Sequence, residues 1–224
     1  MKNLITVLVV IIILGAGGWY LYSQQTKKSG EEANANETIV ATVNGEEISR
    51  DDFNALRAQV IAGQGIDTES MTEQESEEFD TQLVDTLISQ RLLQQAVSDS
   101  GIIITESQID EQVNVIKGQF ESEQAFNETL SSQGATLADL REQVRSELAS
   151  QAYFNQELDI SSLSASDEEI QVAYDEATAG QENAPSLEEV REQALQFVLQ
   201  QKQQQLINEL MQVLRSNAEI EIFI

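Results

Sequence analysis

The sequence predicts a mainly α-helical protein with one small antiparallel sheet, preceded by a transmembrane helix. Three observations support this fold class. Residues 4–22 carry no charged side chain, and residues 39–53, IVATVNGEEISRDDF, combine the signals of two short strands and a helix start. The last seven residues, AEIEIFI, alternate isoleucine with glutamate or phenylalanine, as a strand with one buried face does. Most of the chain between these last two segments has the periodicity of amphipathic helices.

The N-terminal apolar segment is long enough to span a membrane. Its nineteen residues, 4–22, rise about 28 Å as a helix, which is close to the hydrocarbon thickness of a bilayer. A cleaved signal peptide is the alternative, because Lys2 precedes the apolar run and small residues lie within it. The aromatic residues in 19–22 favour an uncleaved anchor, since they suit a membrane interface. We predict an anchor over residues 1–22 and, from its polar composition, a flexible linker over 23–37.

The segment after the linker predicts a tight β-hairpin. Ile39–Val43 reads as a strand, and the pair Asn44-Gly45 accepts the positive φ angles of a type I′ turn. Residues 46–48 then fold back as a second strand, and Ser49 follows as the N-cap of the first helix.

The hairpin requires a further partner, because two strands alone are barely stable in water. Residues 219–224 are the one later segment that reads convincingly as a strand. We therefore predict that the first and last parts of residues 38–224 meet in one sheet and that these residues form a single domain.

Seven helices are predicted from the spacing of apolar residues and from helix-start motifs. They cover residues 50–62, 72–98, 105–120, 123–132, 137–158, 166–179 and 186–216. Capping-box motifs begin three of them, at Thr72, Thr105 and Ser166. The last helix is expected to keep one face apolar along its length, including Phe197 and Val198.

Composition excludes several classes of function. The net charge is −27 and only twelve residues are Lys or Arg, which argues against a nucleic-acid partner. Adaptation to a saline medium and a functional acidic surface both account for such acidity. The chain has no histidine and no cysteine, so the usual catalytic triads, zinc sites and thiol nucleophiles are excluded. The acidic run 73–80 lies on a predicted helix, where carboxylates diverge, and we interpret it as a solvated face rather than a calcium site. We predict no catalytic residue, no metal and no cofactor.

Three segments carry a resemblance to a known family. They are VATVNGEEISRDDF, LVDTLISQRLLQQAVSDSGIIITESQID and the terminal AEIEIFI. Together they resemble the N-terminal chaperone domain of the SurA, PpiD and PrsA group of extracytoplasmic folding factors, over roughly residues 38–224. The resemblance implies a helical chaperone domain that binds unfolded or partly folded polypeptides. It also implies that the large C-terminal part lies outside the cytoplasm. With the predicted anchor, this gives a single-pass protein of the inner (cytoplasmic) membrane whose C-terminal part is in the periplasm or outside the cell.

One feature departs from the family pattern. In that group, a parvulin-type prolyl isomerase domain precedes the final long helix, whereas here the segment GQENAP at 180–185 joins the last two helices directly. Parvulin sites resemble one another in using histidine, which this chain lacks. The resemblance therefore implies a chaperone core without its isomerase, and we expect no prolyl isomerase activity.

Two hypotheses of function remain. The first is a membrane-anchored, ATP-independent chaperone whose helices form an apolar cradle for clients. The second is a non-catalytic adaptor that uses the same helices to dock one fixed partner or to self-associate at the membrane, and the oligomeric state is open. Adaptable or aromatic side chains left partly exposed would serve client binding, and ordinary core packing is the alternative for each. These candidates are Met71, Phe120, Phe126, Tyr153, Phe197 and Met211.

Overall fold

The computed structural model describes residues 38–179 and 184–224. They belong to two units, of which the first runs to Gln151 and resumes at Asn217–Ile224, while the second is Ala152–Ser216. Within the described ranges no helix is both long and apolar enough to cross a membrane. The predicted anchor and linker, residues 1–37, lie outside the described residues, and the predicted domain limits stay a prediction.

The first unit contains a three-stranded antiparallel sheet. Its strands are β1 (Ile39–Val43), β2 (Glu46–Ser49) and β3 (Ile220–Ile222), in the spatial order β2-β1-β3. The turn between β1 and β2 has positive φ angles at Asn44 (53°) and Gly45 (81°), as a type I′ turn requires. The predicted sheet, with β3 as its third strand, is confirmed.

Strand β1 is the centre of this sheet and of its core. Val40, Ala41 and Val43 are fully buried. Ala41 lies opposite Ile48 of β2 and opposite Ile222 of β3, so β1 is paired along both edges. A buried strand requires this, because an unpaired buried backbone N–H or C=O is costly.

Asn44 joins the turn to the rest of the unit. Its backbone N–H donates to the carbonyl of Glu219 (2.8 Å), and its side-chain Oδ1 accepts from the Glu219 N–H (2.9 Å). Its Nδ2 donates to Oε1 of Gln95 (2.8 Å), whose own Nε2 donates to the carbonyl of Val43 (3.0 Å). One turn residue thus holds β3 and the second helix against β1.

Seven α-helices account for most of the described chain. They are α1 (Arg50–Gln64), α2 (Glu73–Asp99), α3 (Glu106–Lys117), α4 (Glu123–Ser132), α5 (Leu137–Glu157), α6 (Asp167–Thr178) and α7 (Leu187–Ser216). Short 3₁₀ turns occur at Thr68–Ser70 and Ile160–Ser162. The predicted capping boxes at Thr72, Thr105 and Ser166 are all formed.

Two groups of apolar side chains form the core of the first unit. The first consists of β1 and the buried residues of α2, which are Leu83, Val84, Leu87, Ile88 and Leu92. The second joins α3, α4 and α5. It contains Ile109, Val113, Ile116, Phe126, Leu130, Leu140 and Val144.

The last helix keeps one apolar face, as expected, but that face is only partly buried. Val198 is buried. The other apolar residues of this face are half-buried: Leu187, Val190, Ala194, Leu206, Leu210 and Leu214. The exception is Phe197, which was expected on the same face but is 48% exposed. It lies about 100° around the helix from Val198.

The pairing of β3 with β1 predicts a measurable loss of stability on truncation. Deleting residues 219–224 from the full-length chain removes the whole β1–β3 ladder. Three of its hydrogen bonds are the two with Asn44 and the one from the Phe223 N–H to the Val40 carbonyl. At roughly 1 kcal/mol each, these three alone contribute about 3 kcal/mol, so we expect Tm to fall by at least about 6–12 °C for a chain of this size. Thermal circular dichroism measures it, and deletion of Ile224 alone is the control. A truncated chain that melts within about a degree of the parent contradicts the pairing.

Candidate functional site

The predicted client-binding residues of the first unit are Met71, Phe120 and Phe126. Met71 and Phe120 are half-buried, but Phe126 is only 2% exposed. The Phe126 ring packs edge-to-face on Phe120, with 5.4 Å between ring centroids, and Lys117 Nζ lies 5.3 Å from its centroid. The expected partial exposure is therefore wrong for Phe126. Helix α4 is short and amphipathic, and Phe126 and Leu130, four residues apart, supply its buried face.

The other three candidates, Tyr153, Phe197 and Met211, lie in the second unit. Tyr153 is only 6% exposed, so partial exposure is wrong for it as well. Burial, and secondarily the charge of Glu157, raises the pKa of the Tyr153 phenol. Phe197 is 48% exposed and Met211 is half-buried. Client contact by any of the six residues stays a prediction.

Helices α6 and α7 form a hairpin whose core is small. Ile170 and Ala173 of α6 and Val198 of α7 are buried. Near the connection between the helices, the hydroxyl of Tyr174 donates to the carbonyl of Pro185 (2.8 Å). The hairpin is thus held by few buried contacts, and polar contacts at its ends supplement them.

The polar contact at the start of α6 centres on Glu169. Lys202 Nζ of α7 lies 2.7 Å from Glu169 Oε1 and donates to the carbonyl of Ser164 (2.8 Å). The Glu169 carboxylate also accepts from the backbone N–H of Ser166 (2.8 Å), which completes the capping box. The hydrogen bond from Lys202, and then that from the Ser166 backbone, lower the pKa of Glu169 to about 2.

One side of α7 presents an uncharged strip to solvent. Phe197 and Met211 are fourteen residues apart, which is close to four turns and about 21 Å along the axis, so they lie on nearly the same side of the helix. Gln201, Gln204 and Asn208 lie between them on that side and are exposed. We call these five residues the Phe197–Met211 strip. In a chain with 39 Asp and Glu residues, its freedom from charge sets it apart.

Sequence reasoning missed an arginine cluster in the first unit. Arg141 and Arg145 of α5 both bind Glu106 of α3, at 2.7 and 2.6 Å, and Arg141 also binds Asp110. The hydrogen bonds from Arg141, and then from Arg145, lower the pKa of Glu106. Two arginines four residues apart, with two acids four residues apart on another helix, are the signal that could have suggested it. Every charge in the cluster is paired, so we assign it to helix packing.

No grouping of acidic side chains in residues 38–179 and 184–224 is arranged to hold a metal ion. A shallow depression of about 540 Å³ lies along α4. Its lining is Glu123, Gln124, Asn127, Glu128 and Ser131. All five come from one helix, so the depression does not bring side chains of different elements together as an active site does.

Comparison with known proteins gives consistent relationships. A family model described as the SurA-like N-terminal domain matches residues 1–154. The foldase protein PrsA of Clostridium botulinum (strain 657 / Type Ba4) is 30% identical over 138 residues, covering 56% of this chain and 41% of that protein. This chain therefore spans about two fifths of that relative's length.

A solved structure supports the same fold. It comes from work on PEB4 and the periplasmic protein Cj1289 of Campylobacter jejuni, described as two structurally related SurA-like chaperones. It matches with a TM-score of 0.56 and 13% identity, and covers 83% of this chain and 98% of the other.

The Glu169 contact predicts how the stability of the hairpin depends on pH. A folded-state pKa of about 2, against 4.5 ordinarily, means that the carboxylate stabilises the folded chain fully above about pH 4.5. That contribution falls as the unfolded chain is protonated and is lost once pH passes below about 2. The Tm difference between the parent and Glu169→Gln should therefore shrink from pH 7 to pH 2.

Thermal melts across that range check this, with Glu168→Gln as the matched control in the same helical turn. Comparing variants at each pH cancels the general effect of neutralising an acidic chain. A Tm difference that is constant with pH, or equal for the two variants, contradicts the assigned contact.

Proposed function

Because this chain belongs to the SurA-like N-terminal domain family, we propose that it is a membrane-anchored, ATP-independent chaperone for unfolded or partly folded polypeptides. The observation that carries the proposal is the Phe197–Met211 strip, an exposed aromatic and a half-buried methionine among uncharged amides. Such a surface gives contact area without fixing the sequence of the client. Methionine adapts to irregular partners, and the aromatic ring supplies most of the apolar area.

The proposed mechanism is binding alone. A chaperone without ATP acts by mass action, because it binds unfolded client more tightly than native client and lowers the free concentration of aggregating chains. A client contact that buries roughly 300 Å² of apolar surface contributes about 7.5 kcal/mol, before the entropy cost of association. The affinity should then be on the order of micromolar or weaker. Weak binding suits the role, since a client must leave in order to fold.

The proposed location is the inner membrane, with residues 38–224 outside the cytoplasm. Two observations support it: the nineteen uncharged residues at 4–22, and relatives named as a foldase and as SurA-like chaperones, one of them periplasmic. The linker at 23–37 would then hold the client-binding part away from the lipid surface.

Light scattering of an aggregating client tests the chaperone function. The −27 charge should repel acidic clients at low ionic strength and admit them as salt shortens the Debye length, from about 30 Å at about 0.01 M to about 8 Å at about 0.15 M. We expect stoichiometric amounts of the full-length chain to suppress aggregation of an acidic client, and to do so more strongly at the higher salt. No suppression of acidic or basic clients at either salt concentration contradicts the proposal and favours the single-partner adaptor.

Variants of α7 locate the client contact. The double variant Phe197→Gln, Met211→Gln should lose most of the suppression, because it removes the apolar groups of the strip. Val213→Gln is the matched control, since Val213 is 54% exposed but lies about 160° around the helix from Phe197. Equal loss in both variants would contradict the assignment to this strip.

A further inference from the structure

The outer edge of β3 has the geometry of an unfilled position in the sheet. The N–H of Phe223 donates to Val40, and that of Asn44 donates to Glu219, so residues 219, 221 and 223 direct their backbone groups toward β1. In an antiparallel ladder, the residues between these three direct their backbone N–H and C=O groups to the opposite edge of the strand. Ile220 and Ile222 therefore direct their N–H and C=O groups outward, away from β1.

The opposite edge of the sheet is already occupied. On β2, Arg91 Nη1 of α2 donates to the carbonyl of Glu47 (3.2 Å) and binds Oε2 of Glu46 (3.1 Å). The strand then ends at Ser49, where α1 begins. An added strand would have to displace these contacts, so β3 is the edge that is open for pairing.

The two faces of this open edge differ in chemistry. On one face, Ile220 and Ile222 follow Val43 and Ala41 of β1, and Ile222 is 46% exposed. On the other face, Glu47, Thr42 and Glu221 form one cross-strand row. Both glutamates are exposed, and this row ends at the β3 edge in an acid with no basic residue in the row.

From this geometry we propose that the β3 edge binds an antiparallel strand of an extended polypeptide that alternates β-branched apolar residues with Lys or Arg. The apolar residues would pair with Ile220 and Ile222, and a basic residue would lie opposite Glu221. The added strand extends the sheet to four strands and satisfies the outward backbone groups, the mode known as β-augmentation. The inference deepens the proposed chaperone function, on which it rests, by naming a class of client segment.

A second copy of this chain fits the edge less well. If two β3 strands paired antiparallel about Ile222, Glu221 would lie opposite the apolar Phe223 of the other copy. If they paired about Glu221, two glutamates would face each other, which is destabilising. Each chain also carries a net charge of −27, which opposes self-association at low salt. Charge complementarity therefore favours a basic client strand.

Fluorescence anisotropy with short labelled peptides and the full-length chain in mild detergent tests the proposal. A peptide that alternates valine and lysine should bind more tightly than a block isomer with its valines and lysines segregated, which has the same charge. In the proposed register, valines of the peptide lie opposite Ile220 and Ile222 and exchange backbone hydrogen bonds with them. N-methylation of the valine amides removes these donors, so it should abolish the preference for the alternating peptide. N-methylation of the lysine amides should preserve it.

Two charge-reversal variants separate local pairing from the overall charge. Glu221→Lys should weaken binding of the alternating peptide by about fivefold, the upper range for a cross-strand charge pair, and should improve binding of a valine–glutamate peptide. Glu47→Lys makes the same change in net charge on the same face, but across β1 from the edge. It should have a clearly smaller effect, and thermal melts establish that both variants fold.

Several outcomes would overturn the inference. They are equal affinity for the alternating and block peptides, equal effects of the two N-methylation patterns, and equal effects of the two charge reversals. Self-association that Glu221→Lys changes, without peptide binding, would assign the edge to a second copy. Phe197 and Met211 lie on α7 and not on β3. Aggregation suppression tests the chaperone proposal, and peptide binding tests the β3 edge. Suppression without peptide binding would therefore mean that only the β3 proposal fails, and peptide binding without suppression would mean that the chaperone proposal fails.

Discussion

The first unit depends on satisfying the backbone of one buried strand. Val40, Ala41 and Val43 are fully buried in β1, so their N–H and C=O groups have no access to water and require partners on both edges. The hairpin supplies one edge through a turn of two residues. The second edge is supplied by β3, from the far end of the chain, and Asn44 fixes its position with hydrogen bonds in both directions to the backbone of Glu219. Because Asn44 also binds Gln95, the same turn positions the long helix α2 over the strand.

The acidic composition shapes the rest of the molecule. Basic side chains are few, and several of them join separate elements. The pairs are Arg57–Asp80 between α1 and α2, Arg91–Glu46 between α2 and β2, Arg141–Glu106 between α5 and α3, and Lys202–Glu169 between α7 and α6. Each exposed pair contributes little, of the order of 0–1 kcal/mol. Their main effect is to determine which acids have a basic partner. The Phe197–Met211 strip and the β3 edge both lack such pairs, for different reasons. The strip carries no charge, whereas the β3 edge ends in acids without a basic partner across the strand.

Much of the fold could be predicted from local sequence, because its signals are short-range. The Asn44-Gly45 turn and the capping boxes at Thr72, Thr105 and Ser166 each depend on residues within four positions of one another, and all form as predicted. The third strand was predictable for a different reason, since a hairpin needs a partner and the chain offered one candidate.

The failures concern features that depend on three-dimensional neighbours. Core packing and partial exposure were both open for Phe126 and Tyr153, and the sequence alone could not decide between them. Both residues are buried. The spacing of apolar residues showed the apolar face of α7, but it also assigned Phe197 to that face, and Phe197 is 48% exposed. The contacts of Arg141 and Arg145 with Glu106 likewise join residues that lie more than thirty positions apart in the sequence.

Native-state hydrogen exchange of two amides tests most directly whether β1 depends on the far end of the chain. The N–H of Asn44 donates to Glu219 and that of Phe223 donates to Val40, so both report on the β1–β3 ladder, and the N–H of Leu87 in α2 reports on the core. If the ladder is part of the same cooperative unit, all three amides should open with free energies within about 1 kcal/mol of one another. Exchange of the Asn44 and Phe223 amides at rates near those of an unfolded chain, while Leu87 stays protected, would contradict the account.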